Sequence, residues 1–254
     1  MGARLGQHFL FDPSILGRIA AAAGIGPGDT VLEIGPGKGS LTAQLAARAG
    51  RVVAIEADRR LAQGLAERYA GGPVEIVPGD ALRVPWPVAQ CICGNIPYRI
   101  TSPLIERALT PPRPRCVVFL VQREVADRIA APPGSRAYGS LSAGVQLVAQ
   151  VERLFSVPRG AFRPPPRVDS AVVRLTPFDP PPLDTHEEAA TRRLIRAAFQ
   201  HRRQQLRRTL SEMFSVPRAD AESLLVAAGA DVAARPEVLS AGQFHALARG
   251  LASS

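Results

Sequence analysis

The stretch that most constrains this chain is residues 91–104, reading C-I-C-G-N-I-P-Y-R-I-T-S-P-L. A short apolar strand runs into the tetrapeptide Asn95-Ile96-Pro97-Tyr98. Thr101 and Ser102 follow as N-cap candidates for a helix whose first residue would be Pro103. A strand, a rigid polar turn and a capped helix place the turn at the C-terminal edge of a parallel sheet, where ligands of open α/β sheets collect. The chemistry available there is narrow. Asn95 carries a side-chain acceptor and an amide donor. Pro97 fixes its φ and has no N–H, which stiffens the turn and leaves nearby carbonyls free to point outward. Tyr98 supplies a flat ring for stacking. Acceptors beside an aromatic plate suit a planar group with an exocyclic amine, such as adenine or cytosine.

Three earlier segments give this turn a context. Thr30-Val-Leu-Glu-Ile34 is a buried-strand pattern that enters Gly35-Pro-Gly-Lys-Gly39, a glycine-rich turn before a helix. The dinucleotide fingerprint fails because its third glycine would fall on Ser40, and the phosphate-loop spacing around Lys38 fails as well. Glycines here let the backbone pass close to a ligand. A second strand, residues 51–56, ends in Glu56, a carboxylate able to accept both hydroxyls of a ribose. A third, residues 74–77, is followed by Asp80, placed to accept from an exocyclic amine. Each acid alone reads as a solvated loop carboxylate. Glycine turn, second-strand acid, third-strand acid and fourth-strand N-x-P-Y in this order resemble a class I S-adenosylmethionine-dependent methyltransferase. That likeness implies an α/β, Rossmann-like domain with a seven-stranded, mostly parallel sheet, and S-adenosyl-L-methionine as cofactor.

Further strands are expected at residues 116–122, 151–157 and 171–175, with helices at 123–130 and 141–150. Phe162 precedes a triple proline, which can continue neither helix nor central strand and so forms a rigid loop. Its ring is either a second stacking surface or a loop residue tucked into the core. The Pro-rich residues 178–183 read as a linker, dividing a methyltransferase domain at 1–178 from a small all-helical domain at 179–254. Thr185-x-x-Glu188 reads as the capping box of the next helix. Beyond it Arg192, Arg196, Arg202, Arg203, Arg207 and Arg208 crowd between apolar positions with few acids nearby. Phosphate binding is the expected use of that face.

The charge balance agrees. The 254 residues carry a net charge of +9, and Lys38 is the only lysine. Coding bias explains a choice of arginine over lysine but not an excess of cations over acids. A polyanionic partner explains the excess, and arginine pairs with phosphate while stacking on bases. Cys91, Cys93 and Cys116 lie in apolar strand-like runs and read as core thiols, not as a metal site or disulfide. No apolar run is long enough to span a membrane and no signal-peptide core opens the chain, so a cytoplasmic protein is expected.

With these residues in view the sequence resembles the KsgA family of ribosomal RNA adenine N6,N6-dimethyltransferases over nearly its whole length. The likeness rests on Gly6-Gln-His-Phe-Leu10, Glu33-Ile-Gly-Pro-Gly37, Asn95-Ile-Pro-Tyr98, Gln122-Arg-Glu-Val125, Tyr138-Gly-Ser-Leu-Ser142, residues 162–175 and the arginine-rich residues 198–206. It implies dimethylation of N6 on two adjacent adenines near the 3′ end of 16S rRNA in the small (30S) ribosomal subunit, a role in subunit biogenesis, and a monomer. It also implies cofactor contacts from His8, Leu10, Gly35, Glu56, Asp80 and Asn95. Base handling falls to Asn95, Ile96, Pro97 and Tyr98, with Phe162 as a second plate. His8 stands where the family more often has Asn, and Lys38 where it often has an apolar residue. Two rivals share the fold: an Erm-type enzyme acting on large-subunit (23S) rRNA, and an RNA-binding assembly factor without catalysis. The Phe-x-Pro-Pro-Pro-x-Val loop and Tyr138-Gly-Ser-Leu-Ser142 favour the small-subunit enzyme over the first. Intact Glu56, Asp80 and Asn95 argue against the second.

Overall fold

The computed structural model describes residues 8–252. Gly6 and Gln7 of the first motif lie outside the described residues. The chain forms two compact units: the described residues through Ala126 together with Val151–Pro177, and Asp127–Gln150 together with residues from Phe178 onward.

In the first unit, β1 (Phe9–Leu10) leads into α1 (Pro13–Ala22), capped by the Asp12 carboxylate, which accepts from the Ser14 and Ile15 N–H groups. Then β2 (Thr30–Ile34), α2 (Ser40–Ala46), β3 (Arg51–Glu56), α3 (Arg59–Arg68), β4 (Val74–Pro78), β5 (Cys91–Asn95), α4 (Thr101–Ala108) and β6 (Cys116–Gln122) alternate in a doubly wound pattern. After α5 (Arg123–Ile129) and α6 (Ser140–Gln146) come β7 (Ala149–Val157), β8 (Phe162–Arg163) and β9 (Ser170–Pro177). The main sheet has seven strands in the order β4-β3-β2-β5-β6-β9-β7. Its β4-β3-β2-β5-β6 run is parallel, and β9 lies antiparallel to β6. Central strands are apolar on both faces because helices cover both sides. Val31, Leu32 and Ile34 of β2 and Val117 to Val121 of β6 are almost fully buried. All three cysteines are buried and free, as core thiols should be.

The strand order places the site. From β2 the chain winds outward through β3 and β4, then returns to β5 on the other flank of β2. The carboxyl ends of β2 and β5 therefore diverge at a topological switch point, and a crevice opens between them. The glycine turn leaves β2 there, and Asn95 ends β5 beside it. A separate two-stranded ribbon pairs β1 antiparallel to β8, matching Phe9 with Arg163 and Leu10 with Phe162.

Some elements differ from expectation. The helix after β5 starts at Thr101, and neither Thr101 nor Ser102 caps it. A 3₁₀ turn at Tyr98–Ile100 runs straight into it, and the Thr101 hydroxyl donates back to the Pro97 and Tyr98 carbonyls at 3.3 Å each. Helix α6 stops at Gln146 and β7 begins at Ala149, two residues before the expected strand, to complete the sheet edge. The second unit includes 127–150, which the linker-based division had placed in the first. The reason is aromatic packing: the Tyr138 ring lies 6.1 Å from Phe199, which lies 6.0 Å from Phe244. This unit is helical, with α6 from the 127–150 segment and then α7 (Thr185–Gln200), α8 (Leu206–Phe214), α9 (Arg218–Ala227) and α10 (Ala241–Ala252). The capping box of α7 is Asp184 with Glu187, one residue earlier than read from the sequence. No helix among the described residues is long and apolar enough to cross a membrane.

Candidate active site

The crevice is a cavity of about 690 Å³. Its lining brings together His8, Leu10, Gly35, Glu56, Asp80, Asn95, Ile96, Pro97 and Tyr98, residues separated by up to 90 positions in the chain. Every cofactor-side residue named from the sequence is there, as are four of the five base-handling residues.

At the glycine end, Gly35, Gly37 and Gly39 all take positive φ, at 70°, 57° and 82°. At Gly37 a side chain would be strained by the left-handed backbone, and its Cβ would sit 3.0 Å from two atoms of the Phe9 ring, which would have to give way. Glu56, only 3% exposed, accepts from the Gly37 N–H through Oε2 and from the Asp58 N–H through Oε1, both at 2.9 Å. Each oxygen keeps a second lone pair, so this carboxylate both ties the glycine turn to β3 and can still accept ligand hydroxyls. Asp80 accepts from the Leu82 N–H at 2.9 Å and faces the exposed Arg83 across 3.6 Å. It is well solvated, and a ligand amine can reach it without desolvating a buried pair.

At the other end, Asn95 donates through Nδ2 to the His8 carbonyl at 2.8 Å. That bond orients the amide and leaves Oδ1 without a donor among the described residues. The Ile96 side chain is 1% exposed and anchors the turn, and its N–H donates to the Leu120 carbonyl at 3.0 Å. No described donor reaches the Ile96 carbonyl, whereas the Pro97 carbonyl is taken by the Ile100 N–H. Two acceptors thus remain available at the turn. Tyr98 is held by its hydroxyl against the fully buried Ser170 hydroxyl at 2.8 Å. Burial raises its phenol pKa despite the opposing Ser170 contact, so it stays a neutral ring. His8 bonds the Pro164 carbonyl through Nδ1 at 2.8 Å, and its ring lies 5.9 Å from that of Tyr98.

Phe162 corrects the sequence reading. It is 2% exposed and packs in the core cluster with Leu10, Leu16 and Leu154, so it offers no stacking face. Pairing across the ribbon puts it opposite Leu10, on the inward side.

The site also contains a group that opens the Glu33–Gly37 motif but was given no role from the sequence. Glu33, 1% exposed on β2, lines the cavity, and its Oε2 has no hydrogen-bond partner. Burial pushes its carboxyl up to about 8, with Thr42 pulling slightly down and the Glu56 charge adding a smaller upward push. The signal was present as a lone acid inside an apolar strand. Ser170, which holds Tyr98, left no such signal.

The arginine face of the second unit is more balanced than its sequence suggested. Arg192 pairs with Glu188, Arg207 with Glu222 and Arg208 with Glu212, all within 2.8 Å, and Arg202 lies 3.7 Å from Glu237. Those acids come from an adjacent helical turn or from distant segments. Arg196 and Arg203 are exposed and have no carboxylate partner among the described residues.

Residues 2–250 match the family model described as ribosomal RNA adenine dimethylase. The chain belongs to that family. A ribosomal RNA small subunit methyltransferase A of Gloeobacter violaceus is 46% identical, over 99% of this chain and 93% of its own length. One from Magnetococcus marinus is 43% identical over 96% and 90%. Among solved structures, a dimethyladenosine transferase from Plasmodium falciparum superposes with a TM-score of 0.85 at 31% identity, covering 94% of this chain and 96% of that one. The 23S rRNA methyltransferase ErmE superposes with a TM-score of 0.77 at 30% identity, covering 96% and 99%. The fold is that of the class I methyltransferases, and the chain is an rRNA adenine N6,N6-dimethyltransferase by family.

Proposed function

We propose that this protein transfers methyl groups from S-adenosyl-L-methionine to N6 of two adjacent adenines near the 3′ end of 16S rRNA, making each N6,N6-dimethyladenine. One observation carries the reading: ribose- and amine-accepting carboxylates and the Asn95–Tyr98 turn open into one cavity. The names and full-length identities of the relatives support the small-subunit substrate over the large.

The cavity fits the cofactor on its own terms. Gly37 takes a left-handed turn that its N–H ties to Glu56, Glu56 keeps free lone pairs for a ribose, and Asp80 has an open acceptor for an adenine amine. The cofactor supplies, when bound, a methyl group on a sulfonium. The protein's part is positioning. An adenine amine is a poor nucleophile because its lone pair is delocalised into the ring. Asn95 Oδ1 and the Ile96 carbonyl accept the two amine hydrogens and draw the nitrogen towards tetrahedral geometry. Tyr98 holds the base by stacking, worth about 1–3 kcal/mol. No strong base is needed beforehand, because the alkylated amine is acidic and releases its proton. For the second transfer the remaining N–H keeps one acceptor. A base paired in a helix must first be extruded. Arg196 and Arg203 in the helical unit are assigned to backbone phosphates, with the ion-paired arginines as a secondary reserve.

The test is transfer from labelled S-adenosyl-L-methionine to 30S subunits lacking the modification, with 50S subunits and naked 16S rRNA alongside. Dimethyladenine in small-subunit RNA alone is the expected product. Label in the 50S subunit moves the substrate to 23S rRNA, and cofactor binding without transfer to any RNA leaves a non-catalytic assembly factor.

A further inference from the structure

We infer that Phe11 and Arg163, on the β1–β8 ribbon next in chain to the cavity-lining His8, Phe9 and Leu10, form a stacking platform for a nucleotide flanking the target adenine in single-stranded RNA. This rests on the RNA-methylating reading above and adds a contact that reading does not contain.

Side chains alternate along an extended chain. Leu10 turns inward and is 5% exposed, opposite buried Phe162. Phe11, the next residue, goes the other way and is 46% exposed. It is not a loose loop residue: its N–H donates to the Ala161 carbonyl at 3.1 Å, and Asp12 immediately caps α1. A hydrogen-bonded backbone therefore holds an aromatic ring about half in solvent. The Arg163 guanidinium lies over that ring, 5.0 Å from its centroid. Arg163 itself is exposed, as is Arg167 four residues on, and neither has a carboxylate partner among the described residues. The nearby acids are engaged: Asp12 by the Ser14 and Ile15 N–H groups, Asp169 by the Arg159 N–H and Arg123.

A half-exposed ring with an unneutralised guanidinium over it matches a nucleotide, which presents a planar base and a phosphate on one unit. Unstacked bases of single-stranded RNA are recognised on aromatic rings and arginine planes in this way. The location fits the register of a substrate strand. Phe11 is three residues, roughly 10 Å of extended chain, from His8, whose carbonyl holds the Asn95 amide. The base stacked on Phe11 is then a neighbour of the one presented to Asn95. With Phe162 buried, this platform supplies a second aromatic contact, on the flanking nucleotide instead of the target.

The test uses the full chain and the RNA substrate accepted by the wild type. Phe11→Ala is expected to raise KM for RNA about tenfold, with cofactor Kd and thermal midpoint unchanged. Phe11→Trp is expected to restore KM and to show indole quenching on RNA binding, beyond that of the single native tryptophan, Trp86. Unchanged KM in Phe11→Ala, or no extra quenching in Phe11→Trp, while the wild type methylates RNA normally, overturns this inference alone. A wild type that transfers no methyl to any RNA overturns the underlying reading with it.

Discussion

Glu33 provides a measurement that separates a buried neutral acid from a buried charge. Its carboxyl is pushed from an ordinary value of 4.5 up to about 8, with burial as the first cause. Between those values the unfolded chain has released the proton and the folded chain still holds it. Stability then falls with rising pH, because the native state binds more protons than the unfolded state. The contribution is fully present below pH 4.5 and lost as pH rises through about 8. At pH 7 the gap above 4.5 corresponds to about 3 kcal/mol, taking about 1.36 kcal/mol per pH unit. Glu33→Gln keeps the shape and cannot ionise, so it should match the wild type near pH 4.5 and be more stable by about 3 kcal/mol at pH 7. The assay is urea unfolding of both proteins without cofactor from pH 4.5 to 9, read as the difference between them at each pH. A difference that does not grow with pH would mean Glu33 is ionised in the folded protein, and would refute the assignment.

Three further outcomes follow from the site. Asn95→Ala should lower the transfer rate by about 10²–10³-fold, the scale of losing one oriented polar group at a reacting centre; methyl transfer at saturating cofactor and RNA measures it, and full activity would refute the acceptor role. Ser170→Ala removes the tether on the Tyr98 hydroxyl, a bond worth about 0.5–1.5 kcal/mol; kcat should fall several-fold while cofactor Kd, from equilibrium dialysis, stays put. Gly37→Ala forces a side chain into left-handed backbone, costing about 1–2 kcal/mol, and crowds the Phe9 ring; calorimetric titration should show weakened cofactor binding, and unchanged affinity would contradict the close approach.

Much of the site was readable from short-range signals. Positive φ at Gly35 and Gly37, an acid at the end of β3, and a proline-stiffened turn after β5 are local chemistry, and a parallel α/β sheet delivers such strand ends to one edge whatever the details of packing. The misreadings came where a residue's partner is remote in sequence. Phe162 is an aromatic residue beside a proline-rich turn. Only its β1–β8 pairing opposite Leu10 shows that it faces the core, because a one-residue shift in an extended chain reverses the face. The arginines looked unbalanced because Glu222 and Glu237 sit well downstream and reach Arg207 and Arg202 only through folding.

What the amino-acid order by itself determined is the list of chemical groups and their delivery to the strand ends, since both depend on local periodicity and turn residues. The tertiary structure alone decided three things: that Asn95 is oriented by the His8 carbonyl, that Glu33 is sealed from water, and that aromatic packing draws residues 127–150 into the helical unit. Each depends on contacts between distant segments, and such contacts are set by the packing of the whole unit, not by any window of the chain.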